Sequence, residues 1–175
     1  MSAIPEFVLY IATSIDGYIA STDGGVDWLN EIAADDESIG YESFYSTIDA
    51  LIMGATTYEQ VLGFGPWPYA GKPTYVLTHR NLSSDRPDIA FKHNFEAVIA
   101  AVERQGFCRI WVVGGGRVAS EFMNRSLISE VILTIAPIIL GDGISLYQDI
   151  ATQKLQLINM RSLSAGLAEL HYRLP

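Results

Sequence analysis

The sequence predicts an α/β domain whose central sheet is mostly parallel and covered on both faces. Three observations predict it. Short runs of near-continuous hydrophobicity alternate with segments of helical periodicity along most of the chain. A triple glycine separates one such run from the helix expected after it. The end of the chain alternates apolar and polar residues instead, the mark of an antiparallel hairpin at a sheet edge. With 175 residues the chain fits one domain, 1–175, able to bury a substantial core.

The elements follow in order. Phe7–Ala12 reads as the first buried strand, and residues 37–47 as a helix with Ile39, Phe44 and Ile48 as its apolar positions. Ala50–Met53 is a second strand. Thr56-x-x-Glu59 has capping-box spacing, and Gly63 is the expected C-cap of the short helix it starts. The Gly- and Pro-rich stretch Gly63–Pro73 is a loop leading to a strand at Thr74–Leu77. Phe95, Val98, Ile99 and Val102 recur at i, i+3, i+4 and i+7 behind Asn94, a suitable N-cap. Ile110–Val113 and Val131–Ala136 are further strands. Leu155–Leu163 and Leu167–Leu174 flank Ser164-Ala-Gly166 as the closing hairpin, with Leu170, Tyr172 and Leu174 opposing Glu169, His171 and Arg173.

Composition removes several functions. A hydrophobic share of 49% argues against disorder, and no apolar run is long enough to span a membrane. The N-terminus has neither a basic region nor a long apolar core, so no signal peptide is expected and the location is cytoplasmic. A net charge of −9, with Lys and Arg unclustered, opposes nucleic-acid binding. His79, His93, His171 and Cys108 lack metal-ligand spacing, so no metal site is expected. Cys108, taken as the opening residue of the strand 108–113, is read as a small core residue. No G-x-S-x-G elbow supports a hydrolase. Asp35, Asp36, Glu37 and Glu42 read as the solvated, dipole-complementing acidic residues of a helix start.

The stretch Ile110–Met123 carries the most chemistry. A strand, a glycine turn and a helix start bring bare backbone N–H groups to the positive end of a helix dipole, a place that suits a phosphate. The spacing is neither a P-loop nor G-x-G-x-x-G, and a plain tight turn would use the same residues. Ligands of parallel sheets gather beyond the carboxyl ends of the strands. Thr13–Ala20, Gly54–Thr57, Thr78–Arg80, Gly114–Ala119 and Pro137–Gly143 all lie there. Arg80 and Arg117 are the cations that could meet an anion among them.

These segments, in this order, resemble the dihydrofolate reductase-like superfamily over nearly the whole chain. Leu9–Ile19 looks like its first strand and loop, and Ile52-Met-Gly-Ala-Thr-Thr-Tyr-Glu59 like Met-Gly-Arg-x-Thr-Tyr/Trp-Glu. Val76-Leu-Thr-His-Arg80 and Val112-Val-Gly-Gly-Gly-Arg117 match two cofactor segments. Thr134-Ile-Ala-Pro-Ile-Ile-Leu-Gly-Asp-Gly143 favours the riboflavin-biosynthesis reductase (RibD C-terminal) branch and its single-domain bacterial relatives.

The resemblance implies a three-layer fold and an NADPH-dependent reductase of a small heterocyclic metabolite, with 5-amino-6-(5-phosphoribosylamino)uracil one substrate of that type. It implies Ala12 and Ile19 beside the nicotinamide, and Gly54, Thr56 and Thr57 on the cofactor's phosphates. Leu77, Thr78, His79 and Arg80 would hold the adenosine 2′-phosphate side. Val113, Gly115, Gly116, Arg117, Val118 and Ala119 would take the pyrophosphate side. Tyr18, Trp28 and Thr134 are the implied substrate contacts, Glu42 is the candidate catalytic acid, and a homodimer is expected. Three departures stand out. Ala55 replaces the family's arginine, and Tyr18 replaces the lysine of Asp-Gly-Lys-Ile. Ser38 falls where dihydrofolate reductases carry their pterin-binding carboxylate, with Glu42 and Asp36 near but out of register. True dihydrofolate reduction and a non-catalytic nucleotide-binding module are the rival readings.

Overall fold

The computed structural model describes residues 5–32 and 38–175, without the side chains of Ser38 and Ile39. The acidic residues Asp35, Asp36 and Glu37 lie outside the described residues. An eight-stranded sheet runs through the molecule in the order β5-β4-β3-β6-β1-β7-β10-β9. Its strands are β1 (Glu6–Thr13), β3 (Ala50–Gly54), β4 (Thr74–Leu77), β5 (Ile89–Lys92), β6 (Arg109–Gly114), β7 (Ile128–Ile135), β9 (Gln156–Ser162) and β10 (Ala168–Arg173). From β5 to β7 every pairing is parallel, whereas β10 pairs antiparallel with both β7 and β9. A separate ribbon joins β2 (Tyr18–Ala20) to β8 (Ile144–Ser145).

Both faces of the parallel part are covered, which is why the middle of its strands is almost continuously apolar. Ala50, Leu51, Ile52 and Met53 are all fully buried. One face packs Phe7, Ile52, Ile110 and Val112 against Val98 and Val102 of α4 (Phe95–Gln105) and Phe122 and Met123 of α5 (Gly116–Asn124). The other packs Val8, Met53 and Trp111 against Phe44 of α2 (Ser38–Ser46) and Tyr58 and Val61 of α3 (Ala55–Gly63). A smaller cluster around Trp28, on α1 (Asp27–Ile32), joins Ala136 and Leu167. The result is the helix–sheet–helix arrangement expected from the alternation of runs.

Local signals held to different degrees. Asn94 caps α4, its side chain accepting from the Ala97 N–H at 2.8 Å, and Gly106 ends the helix in the left-handed region. The expected capping box does not form. Helix α3 already begins at Ala55, its N-cap is Gly54 with no side-chain cap, and Phe64 rather than Gly63 closes it. Thr56 is therefore in the first turn, its hydroxyl released for another partner. Cys108 precedes β6 and is exposed, not a core residue. The C-terminal hairpin forms over Ser164–Gly166 as expected. Its polar side differs from the expectation, because Glu169 is buried and the β9 edge is exposed along its whole length.

Candidate active site

The strand order reverses direction around β6. The chain moves outward from β3 to β4 and β5, then returns to insert β6 between β3 and β1. Such a reversal leaves a crevice beyond the carboxyl ends of the strands, since the flanking connections diverge to opposite faces. A cleft of 660 Å³ opens there.

Two helix N-termini converge on it. Gly54, Ala55, Thr56 and Thr57 line one wall from the start of α3, and Gly115, Gly116, Arg117 and Val118 line another from the start of α5. Neither N-cap, Gly54 or Gly115, supplies a side-chain acceptor, and neither first turn holds an acidic residue. The free N–H groups and positive dipole ends are thus uncompensated by the protein. A Cβ on Gly115 would project between Thr57 Oγ1 at 3.5 Å and Ile19 Cδ1 at 3.8 Å, both cleft residues. The glycine therefore keeps that part of the cleft wall open without being forced by a clash. The Gly114–Gly115 peptide is cis.

Leu77, Thr78 and His79, from the end of β4, complete a third wall, and Asn94, Phe95 and Glu96 bring in the start of α4. Thr78 is fixed by its own loop, its hydroxyl accepting from the Arg80 N–H at 3.0 Å. Arg80 itself is absent from the cleft walls. It is an exposed residue that donates to Glu59 Oε2 at 2.9 Å, and this hydrogen bond holds the Glu59 carboxyl below its ordinary range. Arg125, at the rim, stacks 4.2 Å over the Phe95 ring and pairs with Glu96 and Glu121. Arg117 lines the cleft and, among the described residues, makes no ion pair. It is the cation left for an anionic ligand.

The two loop motifs after β1 and β7 form one clamp. The Asp16 carboxylate accepts from Ser14 Oγ at 2.6 Å and from the N–H groups of Leu140 and Gly141 at 3.1 and 2.8 Å. These bonds, that of Ser14 foremost, keep its pKa below the usual aspartate value. The clamp holds the 137–143 loop beside the β2–β8 ribbon, which carries Ile19 and Ile144 into the cleft.

A second cavity, of 340 Å³, lies on the α2 side of the sheet and takes Ala12 and Thr134. Its walls are Tyr10, Tyr41, Trp111, Leu29 and, on the hairpin, Arg161 and Glu169. Tyr10 stacks on Phe44 at 4.4 Å, and Trp111 donates from Nε1 to the Tyr10 carbonyl at 3.0 Å, which fixes the aromatic wall. Burial pushes the Tyr41 phenol above its ordinary pKa, so it is a neutral donor at any working pH.

The sequence-based expectations thus divide. Ile19, Gly54, Thr56, Thr57, Leu77, Thr78, His79, Gly115, Gly116, Arg117 and Val118 come together in the first cleft. Ala12 and Thr134 face the second cavity instead. Val113 packs against the α2-side core, and Ala119 is fully buried, its N–H bonded to the Gly115 carbonyl. Tyr18 pairs with Ser145 in the ribbon and lines neither space, and Trp28 is buried in the small cluster. Glu42 is exposed and lines neither space. Glu169 went unnoticed because an alternating edge strand looks solvated on its polar side. Gln60, Glu121 and Gln148 had no signal beyond their helices or loops.

The fold is the dihydrofolate reductase-like fold. A crystal structure of Enterococcus faecalis dihydrofolate reductase complexed with NADP(H) and RAB-propyl superposes with a TM-score of 0.70 at 16% identity, over 97% of this chain and 96% of that one. The sequence pattern of the RibD C-terminal domain matches residues 5–168, and the chain belongs to that family. It is 36% identical to the uncharacterized protein YwjB of Bacillus subtilis, over 94% of this chain and 95% of that one. The crystal structure of a provisionally assigned riboflavin biosynthesis protein from Shewanella sp. PV-4 is similar at 28% identity and a TM-score of 0.85. That match covers 97% of this chain and 99% of the other.

Proposed function

We propose that the protein is a cytoplasmic NADPH-dependent reductase of a small heterocyclic metabolite, of the kind that acts in riboflavin biosynthesis. The observation that carries this reading is the convergence of two uncapped helix N-termini, those of α3 and α5, on one cleft with Gly115 open to it. Two sets of donors on one cleft suit a ligand with several linked phosphates better than a single anion. The cofactor complex of the Enterococcus faecalis enzyme supports the choice of a nicotinamide nucleotide.

In this reading the first-turn N–H groups of α3 and α5, with the Thr56 and Thr57 hydroxyls and Arg117, hold the phosphates. Ile19 presents an apolar surface to the reactive ring. Thr78, His79 and, after leaving Glu59, Arg80 hold the adenosine end. NADPH, when bound, supplies the hydride, and the protein supplies orientation and exclusion of water. The substrate lies in the second cavity, beside Ala12.

The partner in solution is a second copy of this chain. Strand β9 is a sheet edge with Leu157 and Met160 exposed, and its sequence Gln156-Leu-Ile-Asn-Met-Arg-Ser162 has neither the lysine nor the proline that commonly guards such an edge.

The test is calorimetric titration of the purified chain with NADPH and NADH, followed by NADPH oxidation with dihydrofolate and with aminopyrimidine metabolites. Binding of NADPH plus oxidation by an aminopyrimidine supports the reading. Oxidation by dihydrofolate alone would favour the folate rival, and binding without any oxidation would favour a nucleotide-binding module.

A further inference from the structure

Charge is balanced around the first cleft, and the balance bears on which nicotinamide nucleotide it takes. Three helix starts reach this cleft. Those of α3 and α5 have no capping side chain and no acidic residue in the first turn. The start of α4 is already satisfied. Asn94 accepts from the Ala97 N–H at 2.8 Å, and the Glu96 carboxyl is held below its ordinary range by its own backbone N–H and by Arg125. It therefore offers an anion far less than the other two do.

The arginines are committed in the same way. Arg125 is taken by Glu96 at 3.0 Å and by Glu121 at 2.7 Å, both cleft residues, and Arg80 is taken by Glu59 at 2.9 Å. Arg80, Arg117 and Arg125 are thus matched one for one by Glu59, Glu96 and Glu121. Arg117 stands in the first turn of α5, on the pyrophosphate side, so it does not serve the adenosine end. There the Thr78 hydroxyl fixes the turn by accepting from the Arg80 N–H at 3.0 Å, while the Arg80 side chain runs out to α3. Thr78 and His79 line the cleft and Arg80, next in the chain, does not. A 2′-phosphate arriving here meets a neutral ion pair rather than a free cation.

Three effects set the outcome. A guanidinium contact to phosphate favours NADPH by roughly ten- to a hundredfold. Opening the pair, whose side chains are 53% and 48% exposed, takes back up to about fivefold. The Glu59 carboxylate left beside the phosphate repels it by about as much again at a separation of about 4 Å in water. The first effect is nearly cancelled by the other two.

We propose that Glu59 is the specificity-determining residue of the cofactor site, and that by neutralising Arg80 it lets the protein use NADH and NADPH with affinities within about fivefold of each other. The proposal rests on the reductase reading above and widens its cofactor range. Glu59 acts through Arg80 and touches neither the nicotinamide nor the reacting atoms.

The test titrates the full chain calorimetrically with NADPH, NADH, adenosine 2′,5′-bisphosphate and adenosine 5′-monophosphate, the last two differing only in the 2′-phosphate. Wild type binds the members of each pair within about fivefold of one another. Glu59→Gln keeps the size of the side chain and its acceptor for Arg80 but removes the charge. It tightens NADPH and the bisphosphate by about fivefold or more and leaves NADH and the monophosphate unchanged. Arg80→Ala, a second variant at the same exposed pair, turns the preference over to NADH. Raising the ionic strength leaves the wild-type ratio flat and lowers that of Glu59→Gln, because only the variant has a net charge facing the 2′-phosphate. A merely structural role for Glu59 would move both cofactors together. A wild-type preference wider than about fivefold, or a Glu59→Gln effect shared equally by NADPH and NADH, overturns the proposal and leaves the reductase reading standing. If neither dinucleotide binds, the reductase reading falls, and the adenosine phosphates still decide whether Glu59 discriminates a 2′-phosphate. If they do not bind either, the proposal falls as well.

Discussion

Replacing Gly115 and Gly116 one at a time separates a cofactor cradle from a plain turn. A methyl group on Gly115 meets Thr57 Oγ1 at 3.5 Å and Ile19 Cδ1 at 3.8 Å, ordinary contact distances, and its φ of −71° suits alanine. The folded protein therefore accepts Gly115→Ala, and the reduced freedom of the unfolded chain compensates for small adjustments. The same methyl stands in the cleft in front of the α5 N–H groups. It holds a phosphate away from them, and one lost charge-assisted bond corresponds to about 1.5–3 kcal/mol, or roughly ten- to a hundredfold in NADPH affinity. Gly116 behaves oppositely. A Cβ there lies 2.5 Å from the Ser145 carbonyl oxygen and 3.1 Å from that of Leu146, both backbone atoms. Gly116→Ala must push the β8 segment outward at a cost of about 1–3 kcal/mol, which lowers Tm by roughly 2–12 °C for a chain of this size. Calorimetric titration and thermal melts on both variants read the two effects. A Gly115→Ala protein with wild-type Tm and unchanged NADPH affinity would refute the cradle, and an unchanged Tm for Gly116→Ala would refute the packing argument.

Three further outcomes follow from other parts of the molecule. Arg80→Ala is expected to weaken NADPH by roughly tenfold, the low end for a phosphate contact because Arg80 must first leave Glu59, and to spare NADH; Glu59→Gln should tighten NADPH, and equal losses for both cofactors in Arg80→Ala would exclude a 2′-phosphate contact. Burial alone would raise the Glu130 pKa, but Arg109 at 2.9 Å and His171 at 3.1 Å more than offset it and hold it below the ordinary value. The stability it contributes is therefore present above the ordinary carboxylate range and lost as pH falls through the depressed pKa, so Glu130→Gln should lower Tm at pH 7 by an amount worth about 1–3 kcal/mol and converge with wild type in acid melts; a gap independent of pH would contradict this. If the proposed homodimer pairs through the exposed β9 edge, Met160→Lys should give a monomer in sedimentation velocity, and a wild-type protein that is monomeric at all concentrations removes the dimer.

Most of the parallel strands were legible in the sequence because the middle of a strand buried on both faces is almost wholly apolar. Ala50–Met53 and Ile110–Val113 could be read as continuous apolar runs, and the sheet covers them on both sides. Helix α4 was legible for a local reason as well, since an asparagine cap, an apolar stripe and a closing glycine act within one stretch of chain. The glycine turn was equally local, and its place at the cleft needed only a strand before it and a helix after it. By itself, then, the sequence determined most strands of the main sheet, helix α4, the fold class and the segments that line the first cleft, while β2, β5, β8 and α1 went unread. Tertiary structure alone decided which charges count. Arg80 is diverted to Glu59 by a helix 21 positions earlier in the chain, Glu42 turns to solvent, and Glu169 is enclosed once α2 and Arg161 pack over the hairpin. The physical reason is that local periodicity reports which face of an element is apolar, whereas the partner and burial of a polar side chain depend on segments far away in sequence.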